Sequence, residues 1–282
     1  MLGGMRFLLT LLMVFPIGLL TSHGQEATKS TAREEVTVGG RTLKLPAPVG
    51  FDRIDGLNPE VDRMVEGMLP ATNRYLARFN PPKNTTSSEG RSFNVQVLRS
   101  VENREIGDRT FSGMKQETKA ELDKAQESIR QEIAKLSGKA EKVFQDATDA
   151  DAALSLSDVV VLGSFDDSPN SLGFTIALNM AAKAGDKTIK SKGVVASMLV
   201  PVNGRLINLY ANAEFNSAAD RAWAEQAVTA WRDAVVAANP RVEGPAAGGF
   251  DFTRVGRSGL IGGIVGGVVA VIALLFKKKK QA

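Results

Sequence analysis

The residues able to do chemistry here are few. The chain of 282 residues contains no cysteine and a single histidine, His23. His23 falls inside a leader expected to be removed, so the mature chain would carry neither residue type. That excludes Ser-His-Asp and Cys-His nucleophilic catalysis, and ordinary zinc, copper or haem ligation. Carboxylate, lysine, tyrosine and backbone chemistry remain. Ser112-Gly113-Met114-Lys115 has the Ser-x-x-Lys spacing in which a lysine amine can take the proton of a serine hydroxyl one helical turn away. The companions of that motif fail, because Val159 follows Ser157-Asp158 and Ile189 follows Lys187-Thr188. The pair reads instead as a serine cap and a solvated lysine. Asp166-Asp167 could seat a cation or act as an acid/base pair, but before Ser168-Pro169-Asn170 it reads as a hairpin turn. Asp146, Asp149 and Asp151 lack the glycine and terminal glutamate of a calcium loop. No catalytic, cofactor or metal residue is nominated, and no cofactor is expected. An enzyme is not the favoured reading. The alternative would be an envelope hydrolase using carboxylates or lysine.

Two patterns point to binding. Trp223 and Trp231 lie eight apart, on one face of a helix. They serve either as core packing or as the wall of a site for a small apolar ligand. Phe111, Met114, Thr118, Leu122, Ala125, Ile129, Ile133 and Leu136 step by 3, 4, 4, 3, 4, 4 and 3, the stripe of one long amphipathic helix ended by Gly138. From Phe111 to Leu136 it would span roughly 39 Å. Five strands cover only about 24 Å. If the helix crosses the sheet, Leu122, Ile129, Ile133 and Leu136 overhang as candidate partner-binding residues. If it runs along the strands, they are core.

The elements follow from periodicity. Glu35–Val38 and Arg41–Leu45 flank Gly39-Gly40 as a hairpin. Pro59 to Phe79 has helical spacing, broken by Pro70. Phe93, Val95 and Val97 alternate with Asn94 and Gln96, a half-buried strand. Val159–Leu162 is a continuous apolar run, expected as a central strand. Strands also follow at Phe174–Met180, Val194–Val200 and Ile207–Asn212, the last two joined by the Asn203-Gly204 turn. Ser217 caps a final helix with the stripe Trp223, Ala227, Ala230, Trp231 and Ala234, stopped at Asn239-Pro240. The fold class is therefore α+β: an antiparallel sheet of five or more strands flanked by amphipathic helices.

A short hairpin running into Leu45-Pro46-Ala47-Pro48-Val49-Gly50-Phe51, and a late hairpin feeding a C-terminal amphipathic helix, resemble PsbP-like sandwiches. The stretch Asn203 to Pro240 also resembles the ending of uncharacterised membrane-anchored bacterial envelope proteins. The resemblance implies a fold and a non-enzymatic, accessory role, and carries over no site residues.

The two ends suggest a topology. Phe7–Leu20 is a short apolar stretch after Arg6, typical of a signal-peptide core, with cleavage expected before Gln25. Ser258–Phe276 is a 19-residue uncharged run followed by Lys277, Lys278, Lys279 and Lys280. It is about 28 Å long, near the thickness of a bilayer core, and trailing lysines favour the cytoplasmic side. Gly259, Gly263 and Gly267 recur every four residues, a candidate transmembrane dimer face. Of the 35 Lys and Arg, Arg6 and the four tail lysines serve targeting, leaving 30 against 31 acidic residues. The exported part is about −1, which argues against a nucleic-acid partner. The expected order is a signal peptide (1–24), a flexible leader (25–33), the exported domain (34–240), a Gly/Pro linker (241–257), a span (258–276) and a basic cytoplasmic tail (277–282). Partners would be the membrane, and an envelope protein or a second copy.

Overall fold

The structure is a computed structural model and describes residues 34–241, apart from 83–84, 86–89, 123–125, 149–151 and 185–186. The expected signal peptide, leader, span, tail and the glycines Gly259, Gly263 and Gly267 lie outside the described residues, as does all of the linker beyond Arg241. Among the described residues no helix is long and apolar enough to cross a membrane.

Two sheets form. Strands β1 (Glu35–Val38) and β2 (Arg41–Lys44) make the small hairpin expected around Gly39-Gly40, both glycines at positive φ (53° and 76°). The large sheet has seven strands: β3 (Asp52–Arg53), β4 (Asn73–Asn80), β5 (Arg91–Leu98), β6 (Ala152–Asp166), β7 (Leu172–Ala184), β8 (Lys187–Val202) and β9 (Arg205–Glu214). Its order is β3-β4-β5-β9-β8-β7-β6, antiparallel throughout. Asn203 (φ 45°) and Gly204 (φ 75°) make the expected tight turn between β8 and β9.

The helices are α1 (Pro59–Met68), α2 (Asp108–Leu122), α3 (Gln126–Thr148) and α4 (Ala218–Ala238). Asn58 caps α1, its side-chain oxygen accepting from the Glu60 and Val61 amides at 3.2 and 3.3 Å. Asp220 fastens the start of α4 by accepting from the amides of Asn216 and Ser217 at 3.0 and 2.9 Å.

Strand alternation divides the core between the two faces of the sheet. On β8, Val195 and Leu199 join one apolar cluster, and Ala196, Met198 and Val200 join the other. The first cluster takes in Val65 and Met68 of α1, Phe111 and Met114 of α2, and Ile129, Ile133 and Leu136 of α3. The second takes in the small hairpin, Phe51 and the Ala224, Val228, Trp231 and Val235 stripe of α4. The large sheet is therefore covered on both sides.

Four expectations are corrected. The stretch Pro59–Phe79 is not one broken helix: α1 ends at Met68, and β4 begins at Asn73, directly after the Pro70-Ala71-Thr72 turn. The long helix does not end at Gly138, which is exposed within α3 on its way to Thr148. One interior glycine costs about 1 kcal/mol, less than the packing of Ile129, Ile133 and Leu136 supplies on the same helix. Val159–Leu162 belongs to β6, an edge strand and not a central one. Three register shifts break its pairing with β7, and Val160 is exposed. Finally, β5 is buried on both faces and not half-buried, because helices lie over the side that carries Asn94 and Gln96.

Candidate functional site

The expected partner stripe is core. Ile129, Ile133 and Leu136 are 1, 2 and 4% exposed and sit in the cluster beneath α1 to α3. Their apolar surface is spent on the sheet, so none is free for a partner. Leu122 ends α2, and its side chain lies outside the described residues.

The Ser-x-x-Lys pair does not converge. Ser112 is exposed in the body of α2 and is not its cap. Lys115 is not solvated as expected. Its Nζ meets Asp167 Oδ1 at 2.7 Å and donates to the Ser168 carbonyl at 2.5 Å. Asp166 and Asp167 do sit at the β6–β7 turn. Asp166 accepts from Ser171 and lies 3.2 Å from Arg232 Nη1. Asp167 is held between Lys115 and Lys119. Both carboxylates thus tie α2 and α4 to a turn. Among the described residues no group of three metal-ligating side chains converges.

Hydrogen bonds from Lys115 and Lys119, and then their charges, hold the Asp167 carboxyl at about 2, below its ordinary 3.8. The folded chain binds that proton less tightly than the unfolded chain. The stabilisation is therefore complete above the unfolded value near 3.8 and is lost as pH falls through about 2. Asp167→Asn is expected to lower stability modestly at neutral pH, to flatten the acid limb in that window, and to converge with the wild type below about pH 2. Urea midpoints at a series of pH values check it.

The tryptophans do more than fill the core. Trp231 is buried, donates its indole N–H to the Pro46 carbonyl at 2.7 Å, and meets Phe79 and Phe93 edge to face at 5.2 Å each. Trp223 is half-buried, 5.7 Å from Phe93 and 6.3 Å from Phe51, with the Arg91 guanidinium 4.4 Å over its ring. Between α4 and the Ala47–Phe51 strap these rings wall an apolar groove of about 200 Å³, floored by Phe93 and edged by Val49, Ala227, Ala230 and Ala234. Val49 is fully exposed on its lip. The stripe expected on α4 is therefore split. Trp231 is core, and Ala230 and Ala234 face the groove.

Two local bonds fix the strap. Gly50 takes φ 80°, a conformation that suits glycine, and lets the Phe51 amide return to the Pro48 carbonyl at 3.0 Å. Asn239, just past α4, exchanges two 2.7 Å bonds with the Lys44 backbone and so ties the helix end to β2.

The opposite face of the sheet carries a second feature, which alternation alone did not reveal. Register places Arg78, Asn94, Tyr210 and Ser197 side by side on β4, β5, β9 and β8. Tyr75, Gln96 and Asn208 form the next row, and Ser92 faces Asn212 in a third. Apart from Tyr75 these residues are buried, and the Tyr75 hydroxyl is buried too. An amide chain runs from Asn73 Nδ2 to Gln96 Oε1 at 2.9 Å, and from Gln96 Nε2 to Asn94 Oδ1 at 2.8 Å. Burial pushes the Tyr75 and Tyr210 hydroxyls far above their usual range, so both remain neutral. The sequence signal was present in Asn94-x-Gln96 and Asn208-x-Tyr210-x-Asn212, on strands that prove to be neighbours.

No family model matches the chain, and no curated protein matches it. Among solved structures, a glutamate-to-alanine mutant of the protein Mog1 is similar at 13% identity, over 72% of this chain and 93% of that one, with a TM-score of 0.30. The Saccharomyces cerevisiae Ran-binding protein Mog1p is similar at 12% identity, over 72% and 92%, with a TM-score of 0.31.

Proposed function

We propose that this chain is a non-catalytic binding protein of the bacterial envelope. Its α+β domain is exported, held at the outer face of the cytoplasmic membrane by Ser258–Phe276, and binds a small apolar ligand in the groove between α4 and the Ala47–Phe51 strap. The anchor rests on the apolar run and its trailing lysines. The accessory role accords with the PsbP-like outline of the sequence.

The observation that carries the binding reading is the groove itself. A buried core has no need of an open, aromatic-walled cleft, and exposed apolar surface of this kind marks interaction sites. Its volume is about 200 Å³. A dry apolar cavity of about 150 Å³ holds one benzene, so the groove fits one ring or a short chain. Hydrolysis finds less support, since Lys115 is paired with Asp167, and Asp166 with Arg232, at the β6–β7 turn.

Tryptophan emission of the full chain, titrated with indole, phenol and octanoate, tests the reading. One of these is expected to shift the emission saturably. Trp223→Ala should remove the response with the fold intact, and Ala230→Trp should remove it by filling the groove. A flat response to all three probes would exclude this ligand class. Separately, deletion of residues 258–282 is expected to move the protein from the membrane fraction to the soluble fraction.

A further inference from the structure

The β7–β8 ladder outruns the rest of the sheet. β9 pairs with β8 only from Gly193 onward, whereas β7 and β8 continue side by side to Ala184 and Lys187, with β6 alongside as far as Ala152. Alternation gives this arm two different faces. One carries Leu156, Leu178 and Met180, which are buried in the cluster that includes α3. The other prolongs the row of Ala196 and Met198, which pack with α4. Past Gly193 that row is bare: Ser155, Ser157, Lys183, Thr188, Lys190 and Lys192 are exposed. Register sets Lys190 in line with Ala181 and Ser155, with Lys192 one row to one side and Lys183 one row to the other. None of the three lysines meets a carboxylate or a hydrogen-bond acceptor among the described residues. Elsewhere the cations are spoken for, since Arg41, Arg74, Arg78, Lys115 and Arg232 each hold a carboxylate.

We propose that this bare, basic face of the arm rests on the anionic phospholipid headgroups of the membrane that carries the chain. The inference rests on the anchorage proposed above and is independent of the apolar groove.

The make-up of the face selects its partner. A protein partner asks for an aromatic or apolar anchor at the centre of the contact, where lysine is depleted, and this face carries none. Single-stranded nucleic acid asks for aromatic rings on which bases stack, and these are missing too. With no large apolar side chain to enter the acyl region, the contact stops at the headgroups. A plane of phosphates answers what is present. Lysine ammonium groups act as compact point charges on long flexible stems, and the hydroxyls of Ser155, Ser157 and Thr188 can donate to phosphate oxygens. The face is three strands wide, about 10 Å, and about 14 Å long from the Lys183 row to the Lys192 row. Each lysine close to an anionic surface contributes about fivefold, so the three together contribute on the order of a hundredfold.

The full chain in nanodiscs tests this, because its sequence has no cysteine and accepts a single label. Bimane is placed on Ser155→Cys, or on Ala134→Cys of α3 as a control, and a lipid with a nitroxide headgroup acts as quencher. The discs are phosphatidylcholine alone, or phosphatidylcholine with one-third phosphatidylglycerol. Quenching at residue 155 is expected at least to double in the phosphatidylglycerol discs. It should fall back in molar salt, where the screening length shrinks to about 3 Å. It should also be lost when Lys183→Gln, Lys190→Gln and Lys192→Gln are combined. The label at residue 134 should respond to none of these changes. The three lysines are exposed, so the triple variant should keep the wild-type tryptophan emission. Equal quenching at residue 155 in the two kinds of disc, quenching unchanged in the triple variant, or a larger response at residue 134 would each overturn the contact and leave the anchor standing. A chain that enters neither kind of disc would overturn the anchor and this contact together.

Discussion

Trp231→Ala is expected to cost about 3–5 kcal/mol, the range for emptying a large aromatic site in a core. Three features place it there. The side chain is 2% exposed, it touches Phe79 and Phe93 edge to face, and its N–H satisfies the Pro46 carbonyl. Its removal leaves that carbonyl without its donor and loosens the strap from α4. Domains of this size are stable by about 5–15 kcal/mol, so one substitution consumes a large share. Trp223→Ala should cost far less, since Trp223 is half-buried and has the Arg91 guanidinium over its ring. Chemical denaturation of the two variants side by side checks the contrast. Equal losses would mean that α4 does not bury one tryptophan in preference to the other.

Ile129→Asp with Ile133→Asp should unfold the domain outright. Each change deletes a buried aliphatic side chain and installs a carboxyl in an apolar cluster that holds no cation among its described members. The cost is roughly 4–5 kcal/mol or more per site. Together they exceed the stability available. Ala134→Asp, at an exposed position between them, should stay within about 0.5 kcal/mol of wild type. Near-ultraviolet dichroism and limited proteolysis distinguish the two cases. A double variant that keeps its native spectrum would return these isoleucines to the surface, where a stripe overhanging the sheet would have put them.

What could be read ahead of the structure was the local chemistry. Asn203-Gly204 and Gly39-Gly40 demand positive φ, and Asn239-Pro240 stops a helix, whatever surrounds them. Layering was not legible. Period-two alternation shows that the two faces of a strand differ, and says nothing of whether either meets water. Asn94, Gln96, Asn208 and Asn212 look like solvent residues until α1 to α3 cover them. The same gap explains Ile129 and Ile133, whose stripe was visible and whose partner was not. The groove was half legible. The spacing of Trp223 and Trp231 announced an aromatic wall, but only the path of the strap decides which of the two remains open.

The ends of the seven-stranded sheet have a colloidal consequence. A free strand edge is a template on which another molecule can add its own strand, and the hazard grows with local concentration. Here one edge is β3, only two residues long, and the other is β6, whose ladder is interrupted at Ser157/Val160, Val161/Gly163 and Ser164/Asp166. Neither offers a long regular run of amides for a neighbour to copy. Many copies confined to one surface could therefore crowd together and still resist stacking edge to edge into fibrils.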